Sequence, residues 1–398
     1  MNTYESDEEL AFRTRAKSWL VDHLPAGWEN GDKQEPTDAD ERLEFRLAWH
    51  KKLYQGGWLG LTWPKEWGGQ GLNQTYQLIF NEELALHETP PMASWVGIEL
   101  LGPTLLEFGS TKQKLDYLPG VLSGQDIWCQ GFSEPDAGSD LFSIKGTATK
   151  IEGGWRLDGR KKWTSWAQYS KYCLVLMRTG SENARDKALS TFIMPMDAVG
   201  LTVVETKMID GDKEENELIM DGVVLPHDAL VGSLNAGAQV VMRNMAFARG
   251  IGTIERTLIL EMILKKLRRS AKVLPSLYAP AYDRGDIRSR LANLHSRIQA
   301  LKFMGYRKVS EMEEGGAKGP VASVEKLVWA ETNQALSRLA MDIIGPGGLL
   351  ETTDLGDGTW PGYWLKEFFR SRGGAIEGGS NEIQKNTIAK RVLNVFAA

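Results

Sequence analysis

Trp128-Cys-Gln-Gly-Phe-Ser-Glu-Pro-Asp-Ala-Gly-Ser-Asp140 and, a little further on, Gly159-Arg-Lys-Lys-Trp-Thr-Ser165 carry more of the reading than any other part of the chain. In the first stretch the Ser133 hydroxyl precedes a turn whose Gly138 and Ser139 let the backbone come close to a partner. The second stretch leaves a strand on an aromatic ring and two hydroxyls, Trp163, Thr164 and Ser165. Taken alone, the glycine–serine turn reads as a hairpin connector and Trp163 as a core residue. Around them lie short runs rich in apolar and β-branched residues: Gly154–Gly159, Tyr172–Met177, Ser190–Met194, Leu201–Val204 and Glu217–Met220. Gly, Asp and Pro separate these runs, which predicts an antiparallel β domain between about Ile127 and Gly232.

On either side of that domain the periodicity is helical. Ser6-Asp-Glu-Glu9 has the form of a capping box, and Phe12, Ala16, Trp19 and Leu20 then share one face until Pro25. Thr37-Asp-Ala-Asp40 starts a second helix that ends at Gly56-Gly57. The stretch from Trp58 to Gly71 is a glycine-punctuated aromatic loop, open to two readings, a buried connector or a ligand contact. After Asn235 the helical pattern returns to the end, with a polar break at 313–319. The expected class is therefore α+β: an N-terminal helical domain at 1–125, a middle β domain at 126–234 and a C-terminal helical domain at 235–398.

The chain has 398 residues, enough for two or three domains sharing a large core. A net charge of −5 gives no nucleic-acid-binding surface. The acidic N-terminus lacks an apolar signal region, and no run has the length of a membrane span, since Leu258–Leu264 is broken by Glu261. Cys129 and Cys173 are too few for a disulfide framework, and the five histidines are scattered, so no metal site is expected. A cytoplasmic protein is the default expectation.

The two opening stretches, with Glu377-Gly-Gly-Ser-Asn-Glu-Ile-Gln384, resemble the flavin-facing segments and the C-terminal active-site loop of the acyl-CoA dehydrogenase family, in that family's order. The resemblance extends to Gly319–Lys326 and Ile344–Leu349. It implies FAD as cofactor and an acyl-CoA thioester as substrate, with electrons passed to an electron-transfer flavoprotein and a role in lipid metabolism such as β-oxidation. It also implies a homodimer or a tetramer of two dimers, because the family binds FAD across a subunit interface. A flavin needs small residues and backbone donors at its polar edge, an aromatic face, and a phosphate site. By the resemblance Trp163 lies along the flavin, with Thr164 beside it, and the Ser165 hydroxyl, a threonine in most members, faces the ring's reactive nitrogen. Gln130, Phe132 and Ser133 line the ring, and Gly138 gives close approach. Ser139 reaches the phosphates or the CoA arm, while Ser380 and Glu382 sit against the flavin at the start of a helix spanning 383–396. Arg249 is the substrate-side anchor, or else a helix-surface arginine paired with a carboxylate. Two departures fall at the phosphate end: Asp342 replaces a glutamine, and Lys272–Tyr278 replaces an arginine-bearing segment.

Family dehydrogenases need a carboxylate to take the α-proton. Of its two usual positions, one aligns with Gly378, after Glu377, and the other with Ala248 in Phe247-Ala-Arg-Gly250. Both lack a carboxylate. Three readings follow: Glu377, one residue aside, is the base; Ala248 stands where the natural protein carries Glu; or the chain is a flavin-binding subunit of a mixed oligomer whose companion supplies the base. Glu255, seven residues past Ala248, lies ~10 Å along a continuous helix at ~1.5 Å per residue and is set aside. A flavin oxidase or monooxygenase on the same fold is a further alternative. The Gly-Gly-Ser-Asn pattern looks like bacterial members acting on bulky or branched thioesters.

Overall fold

The structure, a computed structural model, describes residues 5–28, 35–36, 38–248, 252–273, 280–314, 321–349 and 361–395. Helix α1 (Asp7–His23) starts at the expected capping box: the Glu9 amide donates to Ser6 Oγ at 3.3 Å, and the Ser6 amide donates to Glu9 Oε2 at 2.7 Å. Its buried face is Phe12, Ala16 and Leu20. Asp38 caps α2 (Ala39–Gln55), which Gly56 ends. The aromatic loop that follows proves to be core: Trp58 and Trp63 are buried, and Trp58 stacks on Phe80 at 5.0 Å. Helix α3 (Gln74–Leu86), a π-helical turn at Gly97–Leu101, α4 (Gly102–Phe108) and α5 (Thr111–Ser123) complete this layer. Gly102 is required where the Trp63 ring crosses the chain, because a Cβ there would lie 2.0 Å from that ring.

The middle region contributes β1 (Trp128–Gly131), β2 (Thr147–Ile151), β3 (Gly154–Ser165), β4 (Tyr172–Arg178), β5 (Leu189–Pro195), β6 (Leu201–Glu205), β7 (Glu215–Pro226) and β8 (Leu230–Val231). They form one sheet in the order β6-β7-β3-β2-β4-β5-β8, with β1 beside β4. Five of its strand pairings are antiparallel, as expected, and two are parallel. β1 pairs in parallel with β4, and β2 meets β4 in parallel at Thr147 and Arg178. The β2–β3 hairpin intervenes between β1 and β4 and provides the long crossover that parallel pairing needs. β3 and β7 also run longer than their apolar runs, because their ladder continues past two register shifts. β4 is buried on both faces: Leu174 and Leu176 join the helical core, while Cys173, Val175 and Met177 join a second core within the sheet. That double burial is why it reads as an unbroken apolar run.

Six helices follow among the described residues: α6 (Gly237–Ala248), α7 (Gly252–Val273), α8 (Gly285–Glu313), α9 (Val321–Ile344), α10 (Pro361–Gly373) and α11 (Asn381–Arg391). Leu260, Leu267, Leu294, Ile298, Leu339 and Trp364 centre a core shared by α7, α8, α9 and α10, while Val240 and Val241 of α6 join the core of the N-terminal helices and the sheet. The last helix is shorter than the expected 383–396 and starts earlier, because Ser380 caps it at Asn381. No described helix is long and apolar enough to cross a membrane.

Candidate functional site

The β3–β7 ladder slips between Lys161 and Thr164, then resumes with Thr164 opposite Asn216 and Ser165 opposite Glu215. Trp163 sits in the slip with φ +61° and is 52% exposed, although its neighbour Thr164 is fully buried. A bulge that turns one side chain out of a sheet is a common device beside ligands. Ser165 Oγ donates to Glu215 Oε1 at 2.9 Å. Thr164 Oγ1, Glu215 Oε2 and Asn216 Oδ1 are buried without a hydrogen-bond partner. Three orphaned polar atoms on two adjacent strand ends are costly unless something else completes them.

The 128–140 stretch is fastened to this strand end. The Lys162 amide donates to the Ser133 carbonyl at 2.9 Å. Lys161, fully buried, donates to the Phe132 carbonyl at 3.2 Å and to Glu134 Oε1 at 2.8 Å. Glu134 also accepts the amides of Lys145 and Gly146, at 2.7 and 2.9 Å. Burial lowers the Lys161 pKa, and the Glu134 charge opposes that shift. Gln130 donates to Asn244 Oδ1 of α6 at 2.8 Å, and Asn244 donates in turn to Thr104 at 3.0 Å. Beyond the tight turn linking Glu134 and Ala137, Gly138 and Ser139 are exposed. A Cβ at Gly138 would meet nothing within 4 Å, so that stretch presents an open face.

The C-terminal segment closes on the same strand end. Lys366 of α10 pairs with Asp212 at 2.6 Å. Arg370 donates to Glu377 Oε2 through both terminal nitrogens at 3.1 Å, and this pair is near enough to act electrostatically on Glu215. Gly378 and Gly379, at φ +62° and +90°, make the turn that follows, and Gln384 donates back to both of their carbonyls. Ser380 Oγ accepts the Ile383 amide at 3.3 Å as the cap of α11. Glu382 is exposed in the first turn of α11, and backbone and Ser380 hydrogen bonds hold its carboxyl below the usual range. The N-terminal end of α11, capped by Ser380, follows three residues after Glu377 and carries the positive end of the helix dipole, a setting suited to an electron-rich group.

Ala248 is the last residue of α6, and its side chain lies outside the described residues, as does Arg249. Residues 249–251 are also undescribed, so the continuous-helix spacing assumed for Glu255 is not carried by the structure. What the sequence reading missed is a companion for Glu255. Glu99, in the π-helical turn, lies within electrostatic range of it, and neither carboxylate has a hydrogen bond or ion pair among the described residues. Burial and the Glu255 charge push Glu99 up to about 8, against Arg256. Glu215 was also missed. A lone acid inside Gly97-Ile-Glu-Leu-Leu101 and the Glu214-Glu215 pair opening a strand were the available signals. Asp342, expected near the phosphate end, pairs with Arg290 at 2.7 Å, and most of the 272–278 stretch lies outside the described residues. Among the described residues no group of three or more His, Cys, Asp or Glu could hold a metal ion.

The acyl-CoA dehydrogenase N-terminal, middle and C-terminal domains match residues 6–125, 129–223 and 235–393. The acyl-CoA dehydrogenase IpdE1 of Mycobacterium tuberculosis is 35% identical over 387 residues, covering 96% of this chain and 97% of that protein. The solved Tcur3481-Tcur3483 steroid ACAD aligns with a TM-score of 0.83 at 25% identity over 99% of both chains. The ChsE4-ChsE5 complex from Mycobacterium tuberculosis shares the fold, with a TM-score of 0.82 at 24% identity over 99% of both chains. Strand end, capped helix and three matched domains together place this chain in the acyl-CoA dehydrogenase family, whose members are FAD-dependent enzymes.

Proposed function

We propose that the chain forms an α,β double bond in an acyl-CoA thioester, with hydride passing to FAD and the electrons going on to an electron-transfer flavoprotein. The observation that carries this reading is the outturned, half-exposed Trp163 ring beside the partly exposed Ser165 at the same strand end. A flat ring with hydrogen-bonding edges fits that corner: Trp163 lies along its face, Ser165 meets its edge with Thr164 behind it, and Gln130, Phe132 and Ser133 flank it. Gly138 and Ser139 give backbone access for the phosphates or the CoA arm, with Ser380, Glu382 and the N-terminus of α11 on the far side. When bound, FAD supplies the hydride acceptor. The protein's own part is to seat the thioester with its α-carbon near a base, exclude water, and hold the abstracted proton.

Glu377 is the carboxylate nearest the usual loop position, and it is held by Arg370. A second reading is favoured by the lack of a carboxylate at Ala248 and Gly378. The chain is then one partner of a mixed oligomer whose companion contributes the base. The two solved relatives, the ChsE4-ChsE5 complex and Tcur3481-Tcur3483, each carry two names, which supports weighing this assembly against a homodimer or tetramer.

Anaerobic mixing of the yellow protein with a panel of acyl-CoAs tests both readings. Bleaching of the visible flavin band by the isolated chain, lost in Glu377→Gln, supports the first. Bleaching only after a companion subunit is supplied supports the second, whereas bleaching of the isolated chain gained by Ala248→Glu places the missing base at that position of this chain. No bleaching by any thioester under any of these conditions refutes the dehydrogenase reading.

A further inference from the structure

Glu215 is partly buried directly opposite Ser165 across the β3–β7 ladder, and it is tied to that hydroxyl at 2.9 Å. Its second oxygen, Oε2, is among the orphaned atoms. The charged groups acting on it are Glu214 from its own strand entry, which accepts the Trp166 indole N–H at 2.8 Å, and Glu377 and Arg370 from the C-terminal segment. Burial pushes the Glu215 carboxyl up to about 6. The Ser165 hydrogen bond and Arg370 oppose the rise, and Glu214 and Glu377 add to it. This carboxyl therefore changes state within the range in which a protein works.

A serine hydroxyl has one proton and can direct it at only one acceptor. With Glu215 ionised, the Ser165 proton is committed to the carboxylate, and Oγ offers only lone pairs elsewhere. With Glu215 protonated, the carboxyl can donate to Oγ, and the Ser165 proton is free for another acceptor. We propose that Glu215 is a positioning residue that sets, through Ser165, whether the edge of the bound flavin meets a hydrogen-bond acceptor or a donor. The inference rests on the reading of residues 163–165 as the flavin edge. A flavin nitrogen that accepts a hydrogen bond when oxidised carries N–H when reduced, so the two Ser165 states discriminate between its redox forms. The reduction potential of the flavin then carries a proton-linked bend belonging to Glu215.

The test is the midpoint potential of the holoprotein titrated across pH, in wild type, Glu215→Gln, Ser165→Ala and Ser165→Thr. Glutamine keeps a hydrogen-bonding amide but cannot titrate. The expected result is a change of slope near pH 6 in wild type and Ser165→Thr that is absent in Glu215→Gln and Ser165→Ala. A bend that persists in Glu215→Gln overturns the proposal. A bend lost in Glu215→Gln but kept in Ser165→Ala overturns the relay, because charge alone then acts on the flavin. Protein that retains no FAD, seen as a missing visible band, overturns the flavin-edge reading beneath the proposal and is told apart on that ground.

Discussion

Replacing Lys161 by methionine removes the cation facing Glu134 while keeping most of the side-chain volume. Both partners are almost wholly buried, so the pair is the case in which losing one member leaves an uncompensated charge in the interior. Such losses cost about 3–5 kcal/mol. Glu134 would keep two backbone donors, the amides of Lys145 and Gly146, so the lower part of that range, about 3 kcal/mol, is expected here. Against a typical domain stability of about 5–15 kcal/mol this is a large fraction. The loss falls on the strand that carries Trp163 and on the Phe132 carbonyl that Lys161 anchors. Urea unfolding followed by tryptophan fluorescence reads the stability change, and the visible absorbance retained through gel filtration reads the cofactor. Pairing Lys161→Met with Glu134→Gln removes both charges and should recover a good part of the loss, giving a coupling energy above about 1 kcal/mol in the double-mutant cycle. A Lys161→Met protein within about 1 kcal/mol of wild type, or a double variant that costs the sum of the singles, would refute the reasoning.

Three other outcomes follow from the same structure. Glu99, with its folded pKa raised to about 8, binds its proton in the native state while the unfolded chain releases it near 4.5, so stability falls as pH rises through that window. Glu99→Gln should therefore raise the melting temperature at pH 8.5 more than at pH 5, and equal shifts at both would argue against the burial of that carboxyl. Trp163→Ala should cost the fold under about 1 kcal/mol, since the ring is half-exposed, yet lower the flavin content sharply; unchanged visible absorbance per protein would remove Trp163 from the site. Ser6→Ala should destabilise α1 by about 1 kcal/mol through loss of its capping box, measured by urea unfolding, and a neutral result would mean that the end of α1 is held by other contacts.

Local chemistry made much of the molecule legible. The Ser6–Glu9 cap, the Gly56 stop and the apolar runs of β4 and β5 are decided by neighbours a few residues away, and the structure places them where the sequence pointed. The three family stretches were legible for the same reason, since each is a continuous run of residue types. Legibility ended where a residue's state depends on something distant in the chain. The parallel pairing of β1 with β4 needs a whole hairpin between them, which no local period records. Glu215 and Glu99 look like ordinary acids in sequence, and only burial against remote segments raises their proton affinity. Trp163 reads as a strand tryptophan destined for the core, and it is the slip against β7 that turns it outward. The sequence by itself determined the family, the order of helical and β layers, and the missing carboxylates at Ala248 and Gly378. Tertiary structure decided which acids are desolvated and which buried polar atoms lack a partner, because desolvation and electrostatic contact are properties of what surrounds a group in space.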